Sequence, residues 1–278
     1  MRKATVLLLL FATLSFPVQR VFYLMGTYAV IDLPAEEEVY RTYRYMREIE
    51  RKLSSYREDS EISLINRKAG VEPVPVSPET LEVLKKAVHI YRLTRGSFDI
   101  TRNDAGRAGA VQDLKIEGNR VFLKRRGVSL DLGGIGKGYA VEMAYRNTSA
   151  EWGFLGIAGD MKVWGHRRIL GVKDPLRGGI FLLMVNARDL CLSTSGNYHR
   201  RHIKVKDPRL VQLTVVFEDC TFADALATAL FSMDREQRRR FLSENPGVGV
   251  LEVYRDGSFY VNGSFLTYFT SILFPEGD

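Results

Sequence analysis

Three short segments of the chain bring together residue types suited to phosphate or to a hard cation. The run Asp131-Leu132-Gly133-Gly134-Ile135-Gly136-Lys137-Gly138-Tyr139-Ala140 is a glycine-rich turn between a strand-like and a helix-like stretch. Such a turn exposes backbone N–H groups and a helix N-terminus, both of which favour phosphate oxygens, and Lys137 adds a cation. Its spacing is neither that of a P-loop nor that of a GxGxxG fingerprint, so a tight packing turn is the alternative. In Ala223-Asp224-Ala225-Leu226-Ala227-Thr228, the Asp and Thr stand four apart and share one helix face. A carboxylate and a hydroxyl there suit Mg²⁺, which takes hard oxygen ligands and fills its shell with water and substrate phosphate. The alternative is that Asp224 caps its helix while Thr228 bonds back to the backbone. The third segment, Leu192-Ser193-Thr194-Ser195-Gly196-Asn197-Tyr198, offers hydroxyls on a turn but lacks the elbow of a hydrolase nucleophile.

The elements that must position these residues follow from periodicity. β-branched and aromatic residues over 21–33 predict a strand with Met25-Gly26-Thr27 inside it. A helix over 35–53 follows Pro34, and a second begins at Ser77 as N-cap with Pro78 in its first turn and ends at Gly96. A strand over 128–132 leads into the glycine turn, and a helix is predicted over 139–152. Short strands alternate with glycine turns over 154–192, a strand covers 210–217, and a helix covers 222–233. A charged helix over 234–244 carries Arg238, Arg239 and Arg240, expected to form a solvated face. A hairpin turns at Asp256-Gly257. This order, without a regular β-α-β rhythm, predicts an α+β fold in one globular unit.

Composition narrows the function classes only a little. A net charge of +7 fits an acidic partner, yet no nucleic-acid-binding motif accompanies it. Arg2 and Lys3 precede an apolar stretch over 4–16, the layout of an export signal or N-terminal anchor, so residues 1–19 are set apart from a domain over 20–278. A stretch of thirteen residues is short for an ordinary spanning helix. Cys191 and Cys220 suffice for one disulfide, although each sits in an apolar setting that equally suits a buried thiol. The four histidines show no zinc-type spacing, so a bound metal is expected to have oxygen ligands.

Taken in order, these segments resemble the ApbE family of flavin transferases. Met25-Gly26-Thr27 is similar to its MGT, LSSYREDSEISLIN over 53–66 to its S-x-Y-x-x-x-S-E-I-S-x-x-N segment, and Phe98-Asp99-Ile100-Thr101 to its FDIT. DLGGIGKGYAVE, Ser193-Thr194-Ser195-Gly196 and ADALATALF complete the series. The resemblance implies transfer of FMN from FAD to a Thr or Ser hydroxyl of a partner protein with release of AMP. Hydrolysis of FAD and flavin binding without catalysis are the alternatives. It implies Mg²⁺ held by Asp224, Thr228 and the Gly134 carbonyl, and flavin-nucleotide contacts at Met25, Tyr56, Asp99 and Lys137. His202 matches the family's HIIDP histidine. Asp99, Lys137 and Asp224 are the catalytic candidates. Lys137 would hold phosphate, and Asp99 would orient the nucleotide or take the hydroxyl proton. An acceptor on a membrane redox subunit, on the outer side of the cytoplasmic membrane, is the expected partner. Two departures stand out: 102–128 lacks the family's PL-x-x-LW segment, and Arg201-His202-Ile203-Lys204-Val205-Lys206-Asp207-Pro208 has extra residues and no following TG.

Overall fold

The computed structural model describes residues 18–103, 111–196 and 205–274. The first strands, β1 (Val18–Leu24) and β2 (Thr27–Leu33), form a hairpin. Patterning predicts one strand over 21–33. The structure has two, because Met25 and Gly26 both take positive φ (51° and 73°), the geometry that reverses a chain in two residues. Next come α1 (Glu36–Leu53), α2 (Glu61–Arg67), β3 (Val74–Pro75) and α3 (Pro78–Leu93). Ser77 caps α3 by accepting from the Thr80 N–H, as its sequence predicts. The short strands β4 (Thr101–Arg102), β5 (Leu114–Glu117), β6 (Arg120–Leu123) and β7 (Ser129–Leu130) lead to α4 (Gly136–Asn147).

The second half supplies β8 (Gly153–Ile157), β9 (Asp160–Trp164), β10 (Ile169–Lys173), β11 (Ile180–Asn186), β12 (Leu190–Gly196) and β13 (Leu210–Phe217). The helices α5 (Cys220–Ser232) and α6 (Arg235–Glu244), the hairpin β14 (Gly249–Tyr254) and β15 (Phe259–Val261), α7 (Gly263–Leu266) and β16 (Phe269–Leu273) complete the order. Eight strands make one antiparallel sheet, β1-β2-β8-β9-β12-β13-β14-β15. Antiparallel sheets with packed helices are the α+β architecture predicted from the sequence.

Strand alternation gives the large sheet two faces with different duties. On one, Leu155, Ile157, Cys191, Leu213 and Val215 pack with buried residues of α1, α3, α4 and α5. On the other, Val163, Leu190, Leu192, Val216, Leu251 and Val253 meet Leu170, Val172, Leu182 and Met184 of a small sheet, β10-β11-β16. The helix-side face of β9 and β12 also carries Asp160, Lys162 and Ser193, all buried polar residues.

One further expectation is corrected here, and one pairing that the sequence leaves open is decided. The run from Arg238 to Arg240 is solvated only at Arg240: Arg238 is fully buried, bonding Asp207 Oδ2 (3.0 Å) and the Met233 carbonyl (2.7 Å), and Arg239 lies over the Tyr260 ring. The carboxylates of Asp207 and Glu252 draw Arg238 inward. Cys191 and Cys220 are joined in a disulfide that links β12 to the first residue of α5. With both sulfurs in that bond, the grouping of Glu142, Cys191 and Cys220 offers no thiolate to a metal.

Candidate functional site

The helix α4 begins at Gly136, three residues before the predicted start, so the glycine segment is largely helix N-terminus rather than open loop. The cause is close packing against α5. A Cβ on Gly138 would lie 2.2 Å from the Cys220 carbonyl oxygen and 2.5 Å from Asp224 Cβ, so only glycine lets the helices approach this far. A Cβ on Gly134 would lie 2.9 Å from Thr228 Oγ1. The turn and the α5 face carrying Asp224 and Thr228 are therefore one surface.

Asp224 is not the cap of its own helix. That place belongs to Asp219, whose side chain accepts from the Phe222 N–H, and Asp224 stands one turn further in. Its Oδ2 accepts instead from the Gly138 N–H of α4 (2.9 Å) and from Lys137 Nζ (3.5 Å). Lys137 also pairs with Asp160 Oδ2 (2.7 Å), and Asp160 Oδ1 accepts from Ser193 Oγ (2.5 Å). Ser193 and Asp160 are direct cross-strand partners of β12 and β9. One ammonium thus faces two buried carboxylates.

That imbalance sets the protonation of the cluster. Burial and then the negative charge of Asp160 push the Asp224 carboxyl up to about 6, against the opposing pull of Lys137 and the Gly138 N–H. Burial works against the charged form of Lys137, but the two carboxylates outweigh it and hold the ammonium well above its usual range. A buried carboxylate with excess negative charge nearby favours a second cation.

The oxygen set fits Mg²⁺. Asp224 supplies a carboxylate, Thr228 a hydroxyl on the same helix face, and Gly134 backbone where a side chain would close the space.

The remaining predicted contacts sit on separate elements. Asp99 precedes β4 and accepts from the Thr101 N–H (2.8 Å) and hydroxyl (2.6 Å), while β4 pairs with β7, the strand that feeds the glycine turn. Asn66 fastens the same strand, exchanging two hydrogen bonds with the Leu130 backbone (2.7 and 3.0 Å). Met25 occupies the β1–β2 turn, and its N–H donates to Glu50 of α1 (2.7 Å). A non-glycine residue at positive φ costs about 1–2 kcal/mol, so the turn is held against strain by the hairpin and by α1. Tyr56, just past α1, is 94 % exposed and presents an open ring. His202, Asn197 and Tyr198 lie outside the described residues.

Asp160 and Ser193 enter the site as a pair. Ser193 stands in the hydroxyl segment singled out from the sequence; Asp160 was not singled out. Its signal was phase: Asp160, Lys162 and Trp164 alternate on one face of β9, and two charged residues in phase with a buried Trp mark a polar patch inside a core.

A helix N-terminus, a lysine, a buried carboxylate and a half-buried hydroxyl in an α+β scaffold are the groups that a phosphate-bearing ligand and a hard cation would use. The sequence profile of the ApbE family matches residues 25–251, and the chain belongs to that family. It is 29% identical over 275 residues to an FAD:protein FMN transferase of Vibrio cholerae, covering 80% of this chain and 81% of the relative. The FAD:protein FMN transferase of Treponema pallidum is 26% identical, with 80% and 77% covered. Among solved structures, the flavin transferase ApbE from Vibrio cholerae superimposes with a TM-score of 0.80 at 25% identity, covering 91% of this chain and 99% of its own. The ApbE protein of Thermotoga maritima shares the fold, with a TM-score of 0.79 at 24% identity over 92% of this chain and 100% of its own.

Proposed function

We propose that this chain is an FAD:protein FMN transferase that uses Mg²⁺ and acts on a Thr or Ser hydroxyl of a protein on the outer side of the cytoplasmic membrane. The observation that carries the proposal is the cluster in which Asp224, Thr228 and Gly134 adjoin Lys137 at the N-terminus of α4. These residues lie within the segment the family profile matches, and the relatives named above carry this activity in their names.

In the reaction the acceptor hydroxyl oxygen bonds to the FMN phosphorus, the bond from that phosphorus to the bridging oxygen breaks, and AMP leaves with the bridging oxygen. The hydroxyl proton passes to a base or to solvent. Asp224, Thr228 and the Gly134 carbonyl would hold Mg²⁺, which supplies charge neutralisation to the pyrophosphate when bound. Lys137 would bind a phosphate oxygen at the start of α4, where the Gly136 and Gly138 N–H groups already bond Leu132 and Asp224, and Asp160 holds the Lys137 ammonium at that end of the helix. Tyr56 offers an exposed ring for stacking on the flavin. Asp99 orients the nucleotide from the β4 side.

Two observations support the location: Arg2 and Lys3 ahead of the apolar stretch over 4–16, and the Cys191–Cys220 disulfide, a bond that persists in oxidising compartments. A redox subunit embedded in the membrane is the acceptor class this location suits. Incubating the full chain, in detergent, with FAD, Mg²⁺ and a Thr-containing acceptor peptide tests the activity. AMP release with a peptide heavier by one FMN less a water is the expected result. AMP with free FMN and an unmodified peptide would replace transfer by hydrolysis, and no AMP would overturn the proposal.

A further inference from the structure

The small sheet β10-β11-β16 covers the large sheet with one face and leaves the other open. Alternation predicts a polar outer face for a sheet packed on one side only. Here the outward cross-strand rows are Ile169–Val185–Ser271 and Gly171–Leu183–Leu273. Ile169 is 69 % exposed, Leu273 61 % and Ile180 52 %. Phe181, Phe259 and Phe274 gather at one margin with ring centroids 4.8–5.8 Å apart, and Phe259 and Phe274 are exposed. A contiguous apolar face of this kind marks an interaction surface.

Cations frame it. Between Arg167 and Asp189 the sequence has five, Arg167, Arg168, Lys173, Arg177 and Arg188, against the two carboxylates Asp174 and Asp189. Lys173 lies in the outward phase of β10 with Ile169, and Arg177 lies in the β10–β11 turn beside exposed Leu176. Two copies meeting face to face would bring these like charges together. An anionic lipid surface would pair with the exposed Arg167, Arg177 and Arg188, Arg168 being already paired with Asp32 (2.6 Å), while burying the isoleucines and leucines, the combination that seats interfacial segments.

The path of the chain points the same way. The apolar stretch over 4–16 ends directly before β1, which starts at Val18. Gln19 Oε1 accepts from Arg168 (3.4 Å), the residue next to Ile169, so β1 begins at the rim of the open face. We infer that the outer face of β10-β11-β16 lies on the anionic bilayer surface in which the N-terminal segment is held, with the α4–α5 site on the opposite side of the large sheet. This inference rests on the membrane location proposed above.

Brominated-lipid quenching tests it. The full chain carrying Ile169→Trp, Leu273→Trp or, on the helix side, Glu48→Trp is bound to vesicles of phosphatidylcholine and phosphatidylglycerol with brominated acyl chains, and the emission of the parent is subtracted. Severalfold stronger quenching at positions 169 and 273 than at 48 is expected. It should be lost in Ile169→Trp when Ile180→Asp and Leu273→Asp are added, while the chain still sediments with the vesicles. Vesicle-bound protein with equal quenching at all three positions would overturn the docking face and leave the membrane location standing. A chain that does not sediment with vesicles would overturn both. Sedimentation at twice the chain mass, reversed by Ile180→Asp, would assign the face to a second copy and also overturn the inference.

Discussion

Among the charged groups that the described residues bury, two clusters are built to opposite ends. In the first, Arg238 sits fully buried between Asp207 and Glu252, with Arg209 on Asp207 (3.3 Å) and Arg239 near Glu252 (4.0 Å). Burial works to raise the Asp207 carboxyl, but the bonds from Arg209 and Arg238 outweigh it and hold it below its usual range. In the second, Lys137 alone faces Asp160 and Asp224, and the Asp224 carboxyl is pushed up instead. The cluster around Arg238 has cations enough for its carboxylates and closes the protein around them. The cluster around Lys137 is short of one, and it lies beside a glycine turn that keeps side chains out. Neutralised charge inside a core is architecture; unneutralised charge at its margin is a place for a ligand.

Substitutions can break this contrast. The largest effect on stability is expected from Arg238→Met, which leaves two carboxylates buried without their partner at a cost of about 3–5 kcal/mol. Urea unfolding should show the loss, while turnover per folded molecule stays near that of the parent. Gly138→Ala places a methyl group against the Cys220 carbonyl and should cost about 1–3 kcal/mol by forcing α4 and α5 apart. Unlike Arg238→Met, it should also lower turnover per folded molecule, because Lys137 moves with α4.

Asp224→Asn is expected to act on stability with the other sign. The folded-state pKa of Asp224 lies above its unfolded value, so the stability the carboxyl contributes is full below about pH 4 and is lost as pH rises through about 6. Without metal, Asp224→Asn should therefore unfold like the parent near pH 4 and be about 1–3 kcal/mol more stable at pH 8, as read by denaturant unfolding at the two pH values. Equal stability at both would show that Asp224 carries no excess charge. A smaller effect of the same kind, about 1 kcal/mol at pH 8, is expected for Asp160→Asn, which leaves Lys137 and Asp224 as a balanced pair. Its unfolding profile should depend less on pH than that of the parent.

Much of this contrast was legible in the sequence, though unequally. The fold class, the capped start of α3, β13 and the Asp256-Gly257 hairpin follow from local signals that the tertiary structure leaves intact. Asp224, Thr228 and Lys137 stood out as candidates through helix periodicity and the glycine turn, each within its own segment, whereas Gly134 entered through the family resemblance. That the two segments join through Gly138 is a tertiary fact with no local trace. Asp160 escaped because its partner, Ser193, lies across a sheet. Arg238 was misread for the converse reason: three adjacent arginines mark a polar face, and only the later carboxylate at Glu252, which β14 brings under α6, makes a buried arginine tolerable. The turn at Met25-Gly26 was lost in a run of β-branched and aromatic residues because Met is a poor herald of positive φ.

The account stands on Asp224 being the anionic anchor of a hard cation, and titration calorimetry of Mg²⁺ into the full chain, in detergent with FAD present, tests this most directly. The parent should bind about one ion per chain at pH 8, Thr228→Val should bind it about tenfold more weakly, as expected for a lost neutral ligand worth about 1.4 kcal/mol, and Asp224→Asn should give no binding heat while unfolding cooperatively. Binding of Mg²⁺ by Asp224→Asn with the affinity of the parent would contradict the account and move the cation elsewhere in the fold.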